Sequence, residues 1–281
     1  MRGRKFKTQA DVNRYIQEGH GSGELENYRP WLRVQDVPSH GRSRKVAGIK
    51  VDRHFELLSD LEYRYLNVLE FSESVIDIRE QYPLFPTEGA LQIAAELGIV
   101  YPKYPSTTVN YVMTSDFVVT IKGEDGTPRL AVRTVKPELD ETNSAKLKRT
   151  VEKLELERAI WSSQGVTDWA LVTPEVLGTA LPRNLEFLRG GANKSRQVSV
   201  SMRENFRDHL AYFWSSERTL SAVIRSAATT MQLPYMDGVH LFKHLCWFKF
   251  ITLDIRNVEL KLTAQCPQAH FTGKPHNQRV A

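Results

Sequence analysis

Cysteine is scarce in this chain, and long apolar runs are lacking. The 281 residues contain two cysteines, Cys246 and Cys266, which predict neither a disulfide framework nor the close ligand spacing of a zinc site. No stretch approaches the ~20 apolar residues that span a bilayer, and no apolar core follows the basic N-terminus as in a secretory signal. We therefore expect a cytoplasmic protein without a membrane partner.

An excess of one charge is also lacking over most of the chain. Lys plus Arg outnumber Asp plus Glu by 11 to 5 in residues 1–50, but the remaining 231 residues hold 27 against 28. A basic segment suits a polyphosphate partner, because phosphate contacts release condensed counterions. A solvated tail is an equally good interpretation of residues 1–8 alone. The candidate DNA-binding residues of the segment are Arg33, Arg42, Arg44 and Lys45.

Two β-branched runs in the middle of the chain predict a hairpin that brings an acid beside a lysine. The runs cover residues 115–121 and 129–136, and a polar loop with glycine and proline joins them. Side chains alternate between strand faces, so Asp116 begins one face of the first run, and Lys136 ends the second. Pro137 ends the second strand because proline has no amide hydrogen to donate. We expect Asp116 and Lys136 to lie together.

This pair of charges fits two kinds of function. A carboxylate can hold Mg²⁺, which neutralises a phosphodiester and supplies a nucleophilic water, while a nearby lysine stabilises the developing negative charge. A structural ion pair at the end of a hairpin is the alternative, and it is the commoner situation for two such residues alone.

A third acid favours the metal-site interpretation. Residues 55–71 have helical spacing, with an apolar stripe of leucines and with Ser59 or Asp60 as the cap. Glu62 lies at the margin of this stripe, where a carboxylate would be held rigidly and partly removed from water. An exposed glutamate at the edge of a helix face is the alternative.

Glu62, Asp116 and residues 134–136 resemble the catalytic core of restriction-endonuclease-like nucleases, which combine a helix glutamate, a strand aspartate and a lysine. Longer segments between residues 8 and 173 are more specific. In order, they resemble the TnsA family, the endonuclease subunit of heteromeric transposases of Tn-seven-like transposons. These segments are PWLRVQDVPSHGRS at 30–43, LLSDLE at 57–62, IDIREQYPL at 76–84, VKP at 135–137 and EKLELER at 152–158.

The resemblance implies a Mg²⁺-dependent DNA endonuclease with two ions per site. Its metal ligands would be Glu62, Asp116 and the backbone carbonyl of Val135. The same two acids would be catalytic together with Lys136, and Glu157 of the next helix would support the lysine.

One position departs from the family pattern. Two residues before the lysine the family carries Glu, Asp or Gln, whereas this chain has Thr134. A hydroxyl is a poorer Mg²⁺ ligand than a carboxylate, so we do not expect direct coordination by this side chain. The departure leaves open an assembly adaptor with a degenerate nuclease core.

The resemblance also implies partners. The chain would cut the 5′ ends of a transposon in double-stranded DNA, while a TnsB-like DDE transposase cuts and joins the 3′ ends. A TnsC-like AAA+ ATPase would regulate both. A stand-alone restriction or repair nuclease is the alternative among enzymes.

The remaining pattern predicts an α/β fold for a catalytic domain at residues 1–173. Helix–sheet alternation around one site is typical of a restriction-endonuclease-like mixed sheet. The periodicity predicts helices at 10–18, 91–97 and 144–164, and strands at 45–50, 74–80 and 169–173.

Residues 174–281 predict a second domain with a winged-helix outline and a disordered tail. The expected elements are helices at 203–215, 219–232 and 239–248, a turn at 234–238, strands at 250–255 and 258–262, and a tail at 263–281. His240, Lys243 and His244 of the last helix could enter a DNA groove. Because this half is nearly neutral, we instead expect it to dock the AAA+ ATPase. No third metal ligand follows the two histidines, so a packing or solvated role is expected.

Overall fold

The computed structural model describes residues 6–37, 42–137, 144–192 and 198–273. Residues 1–5 of the basic segment and 274–281 of the predicted tail lie outside this part of the chain. Two compact units are present: the first unit is residues 1–63 with 74–174, and the second unit is residues 64–73 with 175–281. The chain thus passes from the first unit to the second after Pro174. The assignment of a domain boundary at residue 173 stays a prediction. No helix in the described ranges is long and apolar enough to cross a bilayer.

The first unit alternates helices and strands around a mixed sheet, as predicted. Strands follow the order β3-β4-β5-β6, and the first two pairings are antiparallel while the third is parallel. A separate antiparallel hairpin joins β1 and β2. The elements up to residue 174 are α1 (Gln9–Gln17), β1 (Arg44–Ala47), β2 (His54–Leu57), α2 (Asp60–Phe71), β3 (Val75–Leu84), α3 (Glu88–Glu96), β4 (Met113–Lys122), β5 (Pro128–Val135), α4 (Ser144–Ser163) and β6 (Trp169–Val172). Only the first turn of α2 belongs to the first unit, and its residues from 64 onward belong to the second.

The helix predicted at 55–71 begins later than expected. Phe55 and Leu57 belong to strand β2, where both side chains are fully buried, so tertiary packing explains their spacing. Helix α2 begins at Asp60. The Ser59 hydroxyl caps it by accepting the backbone N–H of Glu62 at 3.1 Å. This cap fixes the position of Glu62 in the first turn.

An apolar cluster holds α3 and α4 against the sheet. Val118 of β4, Val132 of β5 and Leu156 of α4 are all fully buried in it. Burial of one such side chain contributes roughly 2 kcal/mol relative to exposure. Because Glu157 follows Leu156 directly, the same packing turns a carboxylate toward the end of β5, where it meets Thr134.

The second unit is mostly helical beyond Pro174. Its central helix, α9, packs on α6, α7 and α8. Gly238 of α9 allows a close approach to α8, because a Cβ at this position would lie 2.9 Å from the Ala228 Cβ. The elements are α5 (Pro174–Leu177), α6 (Ala180–Arg189), α7 (Val200–Phe213), α8 (Leu220–Thr230), α9 (Tyr235–Trp247), β7 (Ile251–Leu253) and β8 (Ala269–Phe271).

One local expectation for this unit is wrong. The turn predicted at 234–238 is the first turn of α9, for which Pro234 is the N-cap residue. No element was predicted for the residues of α6, which carries Pro182 in its first turn. Proline is tolerated there because the N–H groups of a first turn have no intrahelical partner.

The predicted hairpin of the winged-helix outline is also wrong. Strand β7 pairs with β8, which lies inside the predicted tail, and residues 258–262 form no strand. Asn184 explains the difference, because its side-chain amide donates to the carbonyls of Ile255 and Val258. Its amide oxygen accepts the N–H of Leu260 at 2.8 Å. These backbone groups therefore form hydrogen bonds with a side chain and not with a neighbouring strand. The winged-helix outline is not confirmed.

Candidate active site

The ends of β4 and β5 bring Asp116 and Lys136 together, as the hairpin pattern predicts. The Lys136 ammonium lies 3.3 Å from Oδ2 of Asp116, and the same oxygen accepts the backbone N–H of Val135 at 2.7 Å. Only 9% of the Asp116 surface is exposed. The charge of Asp116 is the main cause that raises the pKa of Lys136 above its usual value. This lysine therefore carries its proton at neutral pH.

Glu62 joins the same cluster from the first turn of α2. Its Oε1 accepts the Ser59 hydroxyl and its Oε2 accepts the Leu58 N–H, both at 2.9 Å. Burial, and after it the negative charge of Asp116, raises the pKa of Glu62 to about 7. The two acids therefore repel each other, and a proton or a cation at this point relieves the repulsion.

Gln81 of β3 lies in the family-like segment at 76–84, but the sequence assigned it no role. Its side-chain amide donates to Oε2 of Glu62 at 3.3 Å, and its amide oxygen accepts the Thr114 hydroxyl at 3.2 Å. Its backbone φ of +48° is uncommon for a residue with a side chain. Such backbone strain persists where the surroundings require it, often at functional sites. Gln81 thus orients the Glu62 carboxylate.

Glu157 of α4 is the centre of a buried polar network next to this cluster. Its Oε1 accepts the hydroxyls of Ser115 and Thr134, both at 2.6 Å. The Trp161 ring N–H donates to the Ser115 oxygen at 2.8 Å. Burial, and beyond it the charge of Asp116, raises the pKa of Glu157 to about 7. The Thr134 hydroxyl donates to Glu157, and metal coordination by this side chain stays unexpected because a neutral hydroxyl is a poorer Mg²⁺ ligand than a carboxylate.

The donor chemistry of the cluster fits a hard divalent cation. The carboxylates of Glu62 and Asp116, with the Val135 carbonyl as the expected third ligand, are the oxygen types that Mg²⁺ prefers. Within the described ranges, no three His, Cys, Asp or Glu side chains group closely enough to form a metal site by themselves. A cation would thus need a backbone oxygen and water, and the number of ions stays a prediction.

Two comparisons with known proteins bear on this geometry. The family pattern described as TnsA-like endonuclease N terminal matches residues 72–174. Over 195 residues, the chain is 38% identical to the transposon Tn7 transposition protein TnsA of Escherichia coli, covering 69% of this chain and 67% of that protein. This chain belongs to the TnsA family. The family prediction made from the sequence is therefore confirmed, and with it the prediction of an endonuclease.

The family match covers the cluster unevenly. Residues 72–174 contain Asp116, Lys136 and Glu157 but begin after Glu62. The structure supplies the missing connection, because Gln81 of the matched region bonds to Glu62. The individual roles of these residues in a TnsA-family chain stay predictions.

The DNA contacts predicted for this TnsA-family chain remain untested. Arg33, Arg44 and Lys45 each form an ion pair with an acid of the first unit. Arg42 is exposed. To contact a phosphate, each of the three paired side chains would have to leave its acid partner or bind both groups at once.

The side chains of α9 that could have entered a DNA groove make contacts inside the second unit. His244 Nδ1 bonds to the Gly191 carbonyl at 3.0 Å, and burial lowers the pKa of this histidine. The Lys243 ammonium lies 4.0 Å from the centre of the Phe187 ring. The His244 contact favours packing over a solvated role, the two alternatives predicted for this histidine of the TnsA-family chain.

Proposed function

We propose that this chain is a Mg²⁺-dependent DNA endonuclease that cuts the 5′ ends of a transposon as one subunit of a heteromeric transposase. One observation carries the proposal within the endonuclease family: two buried acids, Glu62 and Asp116, lie in one cluster with the protonated Lys136. A buried pair of repelling acids costs stability, and such pairs are kept where chemistry uses them.

The residues of the cluster divide the work of hydrolysis among them. When bound, Mg²⁺ would supply charge neutralisation for the scissile phosphate and an acidified water. Glu62 and Asp116 would hold the ion together with the Val135 carbonyl. Lys136 would donate hydrogen bonds to the phosphate oxygen on which negative charge develops.

Two further residues would position this set. Glu157 bonds to the Thr134 hydroxyl and so fixes the end of β5, on which the lysine follows. Gln81 bonds to Glu62 and fixes the orientation of its carboxylate. Neither residue needs to touch the substrate for this role.

The proposed partners come from the family. The Escherichia coli relative is a transposition protein, and we extend this setting to the present chain. The substrate would be double-stranded transposon-end DNA, and the protein partners a TnsB-like DDE transposase and a TnsC-like AAA+ ATPase. The second unit would dock the ATPase, since the chain beyond residue 50 has no basic excess.

Replacement of Asp116 by asparagine tests the proposal. Asp116→Asn keeps an acceptor for the Val135 N–H but removes a charged ligand. We expect 5′-end cleavage to fall on the order of 10³-fold or more, without loss of the fold. The assay is Mg²⁺-dependent cleavage of labelled transposon-end duplex by the full chain together with its transposase and ATPase.

The matched control is Asp125→Asn, at the exposed far end of the same hairpin, which should cleave normally. Normal 5′-end cleavage by Asp116→Asn would overturn the proposal. Plasmid cleavage by the chain without partners would instead favour a stand-alone nuclease.

A further inference from the structure

Helix α4 changes character along the face that carries Glu157. Successive helical residues are rotated by about 100°, so Lys146 and Lys153 lie within about 40° of Glu157 around the axis. Beyond Glu157, the same side of the helix continues with the buried Ile160 and Trp161. Before Glu157, both lysines are exposed. The N-terminal half of this helix face is thus basic and exposed, whereas its C-terminal half packs on the sheet.

The other charges of α4 lie elsewhere on its circumference. Glu152 and Glu155 are rotated by about 140° and 160° from Glu157, and Lys148 lies at about 180°. Arg149 pairs with Glu152 at 2.9 Å. The helix therefore separates the two exposed lysines from Glu152 and Glu155, its acids outside the core.

Lys153 stands out on this face. It precedes Glu157 by one helical turn, and Glu157 is bonded to the strand that leads into Lys136. Lys153 reaches solvent, but partial burial, and after it the positive charges of Arg149 and Lys136, lowers its pKa. No ion pair between residues of the described ranges includes Lys153. A lysine that has no acid partner and lies near two other positive side chains favours the binding of an anion.

We propose that Lys153 and Lys146 form a phosphate-binding track that holds the backbone of the cleaved DNA strand beside Lys136. Seven residues at 1.5 Å each separate the two lysines by about 10 Å along the helix. One strand of duplex DNA rises about 3.4 Å per phosphate along the duplex axis, so this span equals about three such intervals. The inference rests on the proposed function, because it takes DNA as the substrate.

The test measures DNA binding apart from cleavage. The full chain is titrated onto a fluorescent 30-bp duplex (about three helical turns) in EDTA, at several NaCl concentrations. We expect Lys153→Ala to weaken binding about 3- to 10-fold and to reduce the slope of log affinity against log salt by about 1. Lys153→Arg should retain both values because it keeps the charge. Adding Lys146→Ala should lower the affinity and the slope further.

The matched control is Lys148→Ala, on the opposite face of the same helix, which should bind within about twofold of the unaltered chain. An unchanged thermal midpoint shows that each variant is folded. The track is overturned if Lys153→Ala keeps the original salt slope, if Lys148→Ala weakens binding equally, or if the unaltered chain does not bind the duplex.

Cleavage of transposon ends in the presence of the partners separates this inference from the proposed function. If the unaltered chain cleaves and Lys153→Ala binds normally, only the track is wrong. If the unaltered chain does not cleave, the proposed function is wrong, whatever the binding result.

Discussion

Two buried acids, Glu70 in the second unit and Glu62 in the first, differ in what surrounds them. In the second unit, Glu70 of α2 is fully buried and paired with Arg189, whose guanidinium also donates to the Asn67 side chain. In the first unit, Glu62 receives its hydrogen bonds from neutral donors, and a second acid, Asp116, lies close enough to raise its pKa.

The difference concerns charge balance more than burial. Glu70 has a cation in direct contact, so its environment is that of a structural ion pair. Among the described residues, only neutral groups donate hydrogen bonds to the carboxylates of Glu62 and Glu157. Burial raises both pKa values to about 7. Buried acids with perturbed pKa values cluster at functional sites. Charge imbalance therefore identifies the candidate active site, and residue type alone would not.

Replacement of Arg189, the cation paired with Glu70, should have the largest effect on stability. Arg189→Ala removes the guanidinium that pairs with the buried Glu70, so we expect the free energy of unfolding to fall by about 3–5 kcal/mol. Metal affinity at the first-unit cluster should not change. Chemical denaturation and isothermal titration measure the two quantities. Arg183→Ala removes an exposed pair in the same unit and should cost less than about 1 kcal/mol. Equal losses in both variants would contradict the contrast.

Metal binding at the functional cluster should depend on pH. Because Glu62 has a pKa of about 7 without metal, a cation must displace a proton below that pH. We expect Mg²⁺ affinity to fall by up to about tenfold per pH unit below 7 and to level off above it. Calorimetric titrations at pH 6 and pH 8 measure this, with Glu155→Gln as an exposed control. Affinity that is constant across this range would contradict a shared proton and metal site.

The same acids set the pH dependence of the metal-free fold. The ordinary pKa of glutamate is 4.5, so between that value and about 7 the folded state binds more protons than the unfolded state. Stability in EDTA should therefore fall as pH rises through this window. Glu62→Gln should flatten the fall in the melting temperature.

A smaller effect on Mg²⁺ affinity is expected for residues that only position the metal-binding acids. Gln81→Leu removes the neutral donor to Glu62, and a hydrogen bond worth about 1 kcal/mol corresponds to roughly fivefold in Mg²⁺ affinity. Thr114→Val acts one bond farther away and should change the affinity less. Calorimetric titration of both variants would refute the positioning role if Thr114→Val were the more damaging change.

The smallest effect should come from Thr134. Thr134→Val keeps the backbone ligand at Val135, so metal affinity should stay within about twofold. The loss of the hydroxyl bond to Glu157 should reduce the free energy of unfolding by about 1 kcal/mol. Loss of Mg²⁺ binding in a titration of this variant would show that the side chain is a ligand after all.

The parts of the site predicted from sequence depend on local rules. Alternation along β4 and the end of β5 at Val135, just before Lys136 and Pro137, are sufficient to bring Asp116 and Lys136 together. The position of Glu62 follows from the Ser59 cap, although the start of its helix was misjudged.

The parts that were not predicted depend on distant contacts. Gln81 acts through a strained backbone and a contact with a residue 19 positions away. The bonds from Asn184 to Val258 and Leu260 span 74 and 76 positions, and local alternation cannot reveal them. The basic face of α4 was missed for another reason. A charge count along the chain averages the lysines with acids on the opposite side of the helix.

The most direct test asks whether Glu62 and Asp116 share one divalent cation. Mn²⁺ takes the same oxygen ligands as Mg²⁺ and is visible by anomalous diffraction. In crystals grown with Mn²⁺, we predict an anomalous peak at about 2.0–2.3 Å from one carboxylate oxygen of each acid. The peak should be absent in Asp116→Asn. A peak bound by only one of the two acids, or no peak near them, would contradict the shared metal site.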